Sequence, residues 1–338
     1  MLTNPTLVSI CIPAWERTDL LIGAVRSCLA QTYSEIEVVV ADDSRTDKVA
    51  SAMQAFASES RVRYHRNPQR LGQSGNVNRL FDLARGERLM LLHDDDALFA
   101  DAVEVLDRCW RDHPGLIACY GKQYVIAHAG GDLPGATLDF DRSYHRTPDR
   151  AGLQPSKLWA ALVEQMPPDG AMIDAAAARA VRFRGADAVG DDCDYDFIAR
   201  LAQQPGEFFF VDRYITQYRL TDSGVASRKT VDHSFAIARD LELPPALEDA
   251  RRTILRSRAA YAVRCHVISG QRRAAWDLIR NDEYWIGRRS KSRVTSAVIA
   301  SLPATAVRFM DAARRFAGRT LRRSDGLYRL LGRVKSTR

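Results

Sequence analysis

Three consecutive aspartates, Asp94, Asp95 and Asp96, close the apolar stretch RLMLLHDDDAL at residues 88–98. Adjacent carboxylates repel one another and lose solvation when buried, so they do not pack in a core without compensation. A hard divalent cation takes oxygen ligands and could bridge such a run to a phosphate. The same residues also suit a solvated turn that caps the next helix, because Asp is a good N-cap. Two further acidic groups adjoin apolar segments: Asp42-Asp43 after IEVVVA, and Asp191-Asp192-Cys193-Asp194 before YDFIARL. A carboxylate beside an acceptor hydroxyl can take its proton. At a helix start it can equally serve the dipole.

The elements around these residues set where they must lie. Residues 7–13 (LVSICIP), 36–41 (IEVVVA), 62–65 and 89–92 read as short buried strands. Between them, residues 20–30, 46–56 and 74–85 carry helical spacing, and Gly86 closes the last. Strand and helix alternating in under a hundred residues implies α/β architecture with a doubly wound, mostly parallel, Rossmann-like sheet. Strand ends in such a sheet converge on one edge, where ligands bind, so Asp43 and the 94–96 run are expected to face one pocket. The first strand leads into Pro13-Ala14-Trp15-Glu16-Arg17. An aromatic there can stack a base or sugar, or simply rim the core. Neither GxGxxG nor GxxxxGK[ST] occurs, which disfavours a dehydrogenase-type dinucleotide site and a P-loop.

Composition narrows the classes further. The 338 residues are 46% hydrophobic, enough for a sizeable core in one large domain with an appendage, or two domains. Six scattered cysteines form no CxxC pair, so no zinc or disulfide framework is expected and a reducing compartment fits. No signal peptide and no membrane span is read from the chain. The net charge of +7 hides an asymmetry: from Arg251 onward there are 22 Lys+Arg against 5 Asp+Glu, a balance of +17 that leaves −10 for the rest. A basic tail on an acidic body implies two tasks, or one task at an anionic surface.

Farther along, residues 101–113 read as an amphipathic helix with Val103, Leu106 and Trp110 inward, and 116–120 and 123–127 as two strands. Residues 129–149, rich in Gly, Pro, Asp and Arg, read as a long surface loop, and 166–170 as a turn. Helices are expected from about Asp194, over 246–269 and over 272–281. An apolar stretch at 294–310 is broken by Pro303, and a basic amphipathic segment covers 312–333.

The stretch VSICIPAWERTDLLIGAVRSCLAQTYSEIEVVVADDSRTD, continued in NPQRLGQSGNVNRLFDLARGERLMLLHDDDAL, resembles the opening of a family 2 glycosyltransferase of the GT-A fold over about a hundred residues. The resemblance implies an inverting, metal-dependent transfer of a sugar from a nucleotide-diphosphate donor, UDP- or dTDP-linked, to a glycan or lipid-linked acceptor. Bacterial surface-polysaccharide assembly is the family's usual work. It implies that Pro13, Ala14, Trp15 and Glu16 line the nucleobase pocket and that Asp43 hydrogen-bonds the base. Asn76 and Asn78 would lie nearby, donating to the base, the ribose or the loop itself. Asp94 would approach the ribose or sugar. Asp95, with Asp96 close behind, would bind Mg²⁺ or Mn²⁺. GDDCDYDFIARL (residues 190–201) resembles the motif that supplies the general base, which assigns that role to Asp194 with Asp191 and Asp192 as rivals. YRLTDSG (residues 218–224) resembles a segment near the metal and diphosphate. There Arg219 reaches phosphate or pairs with an aspartate, and Ser223, Ser227, Arg228 and Lys229 lie on a loop that could close over the donor.

Three residues depart from the family pattern: His93 for an aspartate, Cys193 for a glutamate and Thr221 for a histidine. They keep open a catalytically silent relative that binds nucleotide sugar or partners at a membrane. The expected division is a GT-A domain at 1–230, nucleotide-binding over 1–100 and acceptor-binding over 101–230, then a basic helical region at 231–338. That region is read as a peripheral contact with anionic lipid at the inner face of the cell membrane, or as a soluble appendage for a protein partner. Nucleic acid is disfavoured, because no binding motif is present. A cytoplasmic location is expected.

Overall fold

The computed structural model describes residues 5–221, 233–286 and 290–321. The chain divides into two compact units, Met1–Gly185 with Arg200–Thr221, and Ala186–Ala199 with Asp222–Arg338.

In the first unit, β1 (Val8–Ala14) and β2 (Ile36–Asp42) are apolar runs buried on both faces, the pattern of inner parallel strands. Helix α1 (Thr18–Leu29) joins them and buries Leu21, Ala24, Val25 and Cys28. After β2 come a short α2 (Lys48–Met53) with one 3₁₀ turn, β3 (Val62–Arg66), α3 (Gly72–Leu83) and β4 (Arg88–Leu91). Strands β3, β2, β1 and β4 pair in that order, all parallel. Ala14 registers with Asp42, and Cys11 with Leu91, so three strands end on one edge.

The sheet continues through β5 (Ala97–Leu98), α4 (Ala102–Asp112), β6 (Leu116–Ile126), α5 (Pro134–Ser143), β7 (Gly152–Leu153), α6 (Lys157–Leu162), β8 (Met172–Asp174) and α7 (Ala175–Val181). Beyond α8 (Ala186–Val189) and α9 (Cys193–Leu201), which open in the second unit, β9 (Glu207–Arg219) returns to the sheet. Strand β8 inserts antiparallel between β4 and β6, β6 and β9 run parallel, and β5 and β7 pair antiparallel with β9. The result is the mixed, mostly parallel α/β sheet expected, with added antiparallel strands.

Two elements differ from the sequence expectation. Residues 116–126 form the one strand β6, because Gly121 lies against the β9 backbone, where a Cβ would collide with Arg213 and Ile215. The break read at Gly121 is therefore a close approach, accompanied by register shifts. The expected loop at 129–149 contains α5. Its Pro134 stands in the first turn, where a missing N–H costs nothing, so proline opens the helix instead of breaking it.

In the second unit, α10 (Ser234–Asp240), α11 (Glu248–Ile268), α12 (Arg272–Arg280), α13 (Ser290–Ser301) and α14 (Ala304–Leu321) follow. Leu255, Ala259, Val263, Val267, Ile279, Trp285, Ile299 and Val307 are buried. Arginines satisfy carbonyls at helix C-termini: Arg308 donates to Ile268 O (2.9 Å), Arg293 to Ile279 O (2.8 Å) and Arg272 to Ala300 O (3.0 Å). These three guanidinium groups are thus engaged inside the unit. Ile286, Val294, Val298, Phe309 and Met310 are exposed apolar residues.

Candidate active site

The common edge of β1, β2 and β4 brings together the aspartates that the sequence spaced fifty residues apart. Asp43 N–H donates to Ala14 O (3.1 Å), and Trp15 N–H donates to Asp94 Oδ2 (3.0 Å). Glu16 N–H donates to Ser44 Oγ (2.9 Å). The segment 14–17 is thereby stitched to the ends of both neighbouring strands. Glu16 adopts φ +59°, a left-handed conformation that costs a non-glycine residue energy. Its carboxylate accepts from Arg45 N–H (2.8 Å) and Thr46 Oγ1 (2.9 Å), which hold that turn. The Arg45 N–H, then Thr46, lowers the Glu16 pKa.

Trp15 is half-buried, with the Arg70 guanidinium 4.5 Å from its ring centroid and that of Arg45 5.7 Å away. An aromatic face flanked by cations suits a flat base carrying phosphates. Pro13 is half-buried, and Ala14 is fully buried, so Ala14 acts through its carbonyl and not through a side-chain surface.

The acidic run is divided between partners. Arg17 pairs with Asp95 Oδ2 and, at 3.3 Å, with Asp94 Oδ1. Thr221 Oγ1 donates to the same Asp95 Oδ2 (3.0 Å). Asp96 turns elsewhere: its Oδ1 accepts from Arg219 N–H (2.7 Å), and its Oδ2 has no donor. Burial pushes the Asp94 carboxyl up to about 6, with Arg17 and the Trp15 N–H opposing and Asp95 adding to the rise. Burial, then repulsion from Asp169 and Asp95, holds Asp96 well above the usual carboxylate range. Asp169, in the 166–170 turn, is raised by burial as well.

Asp43 is 7% exposed, and its carboxylate accepts from Asn67 Nδ2 (3.0 Å), Leu71 N–H (2.7 Å) and Gly72 N–H (2.9 Å). It orders the loop that enters α3. Asn76 accepts from Asn67 (2.8 Å) and donates to Ala41 O (2.9 Å), and Asn78 exchanges both amide bonds with the Phe183 backbone. Both asparagines hold the scaffold. Asp42, fully buried, accepts from Tyr64 Oη (2.7 Å) and Ser44 N–H (2.8 Å). Arg219 directs its guanidinium to the carbonyls of Asp95 (2.9 Å) and His128 (3.1 Å).

In the second unit, Asp194 is half-buried in the first turn of α9. Asp191 is exposed and precedes the helix, and Asp192 is buried, accepting from His233 N–H (2.6 Å). Gly190 has φ +56°, and a Cβ there would run into the His233 imidazole, so glycine is required at this entry. Ser223, Ser227, Arg228 and Lys229 lie outside the described residues, as does the 322–333 part of the basic segment.

Sequence reasoning gave no role to Arg17, Arg70 or Asp169. Arg17 was visible as the last residue of the Trp-Glu-Arg turn. Asp169 had no signal beyond a Pro-Pro-Asp-Gly turn, because only folding carries it to β4.

Residues 9–157 match the family model described as Glycosyl transferase family 2. The GalNAc(5)-diNAcBac-PP-undecaprenol beta-1,3-glucosyltransferase of Campylobacter jejuni is 33% identical over 101 residues, 29% of this chain and 33% of that protein. The chain spans about a third of the length of the first curated relatives it matches. The crystal structure of S. aureus TarS 1-349 in complex with UDP-GlcNAc superposes with a TM-score of 0.59 at 14% identity, covering 92% of each chain. The mannosyltransferase PcManGT from Pyrobaculum calidifontis, in complex with GDP-Man and Mn²⁺, gives 0.54 at 18% identity, covering 93% of this chain and 88% of that one. These likenesses establish the GT-A fold. The family match ends before Asp169, Asp194 and Arg219.

Proposed function

We infer that this chain, which carries a glycosyl transferase family 2 domain on a GT-A fold, transfers a sugar from a nucleotide-diphosphate donor to a glycan or lipid-linked acceptor, with inversion. The observation that carries the reading is the Trp15–Asp94 junction, which sets an aromatic platform beside the acidic run at one sheet edge. Trp15 would stack the base, UDP or dTDP being the expected carriers, with Arg70 and Arg45 beside it. Asp43 and Glu16 hold the two loops that frame the base. The oxygen set of the acidic run fits a hard cation, and Asp95 would hold Mg²⁺ or Mn²⁺ once Arg17 has left it. Such an ion would supply charge neutralisation to the departing diphosphate. Arg17, released, remains as a cation at the same edge.

Asp194 would take the proton from the acceptor hydroxyl while that oxygen attacks the anomeric carbon and the bond to the diphosphate breaks. One displacement without an enzyme nucleophile inverts the centre. The support is the motif resemblance and the place of Asp194 in the first turn of α9. The likeness to a PP-undecaprenol glucosyltransferase of Campylobacter jejuni favours a lipid-linked acceptor, and work in bacterial surface-polysaccharide assembly is proposed with it.

No helix among the described residues is long and apolar enough to cross a membrane. The exposed Val294, Val298, Phe309 and Met310 and the basic tail favour peripheral contact with anionic lipid at the cytoplasmic face. Co-sedimentation with anionic vesicles should fall when Val298 and Phe309 are both changed to Ser. Unchanged binding would remove the membrane contact.

Donor hydrolysis with and without Mn²⁺, in wild type and Asp95→Ala, tests the transfer reaction. The expected result is metal-dependent hydrolysis that the substitution abolishes. A second reading, a silent nucleotide-sugar binder, draws on the occupancy of Asp95 by Arg17; donor binding with no turnover of any donor and acceptor would favour it.

A further inference from the structure

The turn at 166–170 packs against the end of β4. Gly170 N–H donates to Leu91 O (2.8 Å), and His93 N–H donates to Asp169 Oδ1 (2.7 Å). These two bonds bring the Asp169 carboxylate, on a residue 1% exposed, up to the acidic run. No N–H and no hydroxyl donates to Asp169 Oδ2 or to Oδ2 of Asp96, which is 3% exposed; the two carboxyl groups face each other, and only a proton or a cation between them can satisfy both. One ligand atom each from His93, Asp96 and Asp169 lies within 4.8 Å of the others. His93 Nδ1 is 3.9 Å from the orphaned oxygen of Asp96. A buried acceptor without a donor is costly, and two such carboxylates side by side are more so.

We propose that His93, Asp96 and Asp169 form a divalent-cation site distinct from Asp95. In a ligand set of one imidazole nitrogen and two carboxylate oxygens, the imidazole favours borderline Zn²⁺, and the carboxylates also accept the harder Mn²⁺, ahead of Mg²⁺ or Ca²⁺, which prefer all-oxygen sets. The remaining oxygens are already fixed, Asp96 Oδ1 by the Arg219 N–H and Asp169 Oδ1 by the His93 N–H. Partners of that kind orient ligands from outside the coordination shell. Asp95 faces Arg17 and Thr221 instead. The imidazole side chain of His93 is 26% exposed and gives the ion an entrance. The ion would tie the 166–170 turn to the end of β4 and so fix the backbone that carries Asp94 and Asp95. The site goes beyond the transfer reaction and stands or falls independently of it.

The test uses the full chain stripped with EDTA and titrated with Mn²⁺ in the absence of any nucleotide sugar, with free Mn²⁺ read by electron paramagnetic resonance. Wild type should retain the ion, and Zn²⁺ should displace it. The variants are compared in an Asp95→Ala background, which removes the other candidate ligand; there Asp169→Asn and His93→Ala should each weaken binding by more than about tenfold. A second measurement needs no variant: Zn²⁺ should protect His93 of the wild type from diethylpyrocarbonate, read by peptide mass spectrometry. Absence of retained Mn²⁺ in Asp95→Ala, undiminished binding when Asp169→Asn is added to it, or an unprotected His93 in the wild type would overturn the site. Undiminished binding in Asp169→Asn would mean that the two carboxyl groups share a proton instead. No turnover is measured, so failure of the transfer reaction would leave this result standing.

Discussion

Arg17 and Thr221 meet on a single atom, Asp95 Oδ2, which pairs with the guanidinium and accepts from the hydroxyl. The carboxylate expected to hold a metal is therefore already neutralised by the protein's own cation. Arg17→Ala should strengthen donor-free Mn²⁺ binding at Asp95 by about fivefold, the worth of an accessible ion pair. Electron paramagnetic resonance titration would show it, and Asp95→Ala in the same background should cancel the gain.

Trp15→Ala should weaken donor binding about tenfold or more, because base–aromatic stacking is worth roughly 1–3 kcal/mol. Trp15→Phe should recover most of it. Calorimetry with UDP separates the two. Equal losses in both variants would assign Trp15 to packing.

Asp194→Asn should lower the turnover rate by about 10²–10⁴-fold, the contribution of a positioned base, with donor affinity kept. Coupled detection of nucleotide release gives the rate, and calorimetry gives the affinity. Parallel loss of both would make Asp194 a structural residue.

Asp94 carries a pH dependence with a definite sign. Its folded carboxyl, pushed up to about 6 by burial, lies above its unfolded value of about 3.9. Between those values the native state holds a proton that the unfolded chain has released. Its contribution to stability therefore falls as pH rises through that window and levels off above it. In EDTA, Asp94→Asn should be more stable than wild type at pH 7.5, by on the order of 2 kcal/mol, and nearly equal to it at pH 4. Urea unfolding at the two values checks this. A less stable variant at pH 7.5 would show that the ion pair with Arg17 outweighs desolvation.

Gly190→Ala should lower the melting temperature, since φ +56° costs an L-residue about 1–2 kcal/mol before the collision with His233 is counted. His233→Ala in that background should restore part of the loss. Differential scanning calorimetry of the three proteins decides it.

The parallel half of the sheet was legible because its strands are short apolar runs between helices of plain periodicity. Asp43, Trp15 and Asp94 were placed at one edge on that ground alone, and the hydrogen bonds at Ala14 O and Asp94 confirm the shared edge. Side-chain partners were not legible. The resemblance left Asn76 and Asn78 as donors to the base, the ribose or the loop itself, and no sequence pattern could name the partners their amides take, Ala41, Asn67 and Phe183. Asp169 reaches the acidic run through contacts seventy-odd residues apart in sequence, which no local pattern encodes. Composition likewise hid α5, because proline's effect depends on its position in the first turn.

The helix-end arginines change what the basic tail can be asked to do. A guanidinium occupied by the carbonyls of Ala300, Ile279 or Ile268 is withdrawn from any outside anion. Exchanging Arg272, Arg293 and Arg308 for lysine would preserve the formal charge while removing the planar fork. Loosened helices with lipid attraction intact would then reveal two separate uses of one residue type.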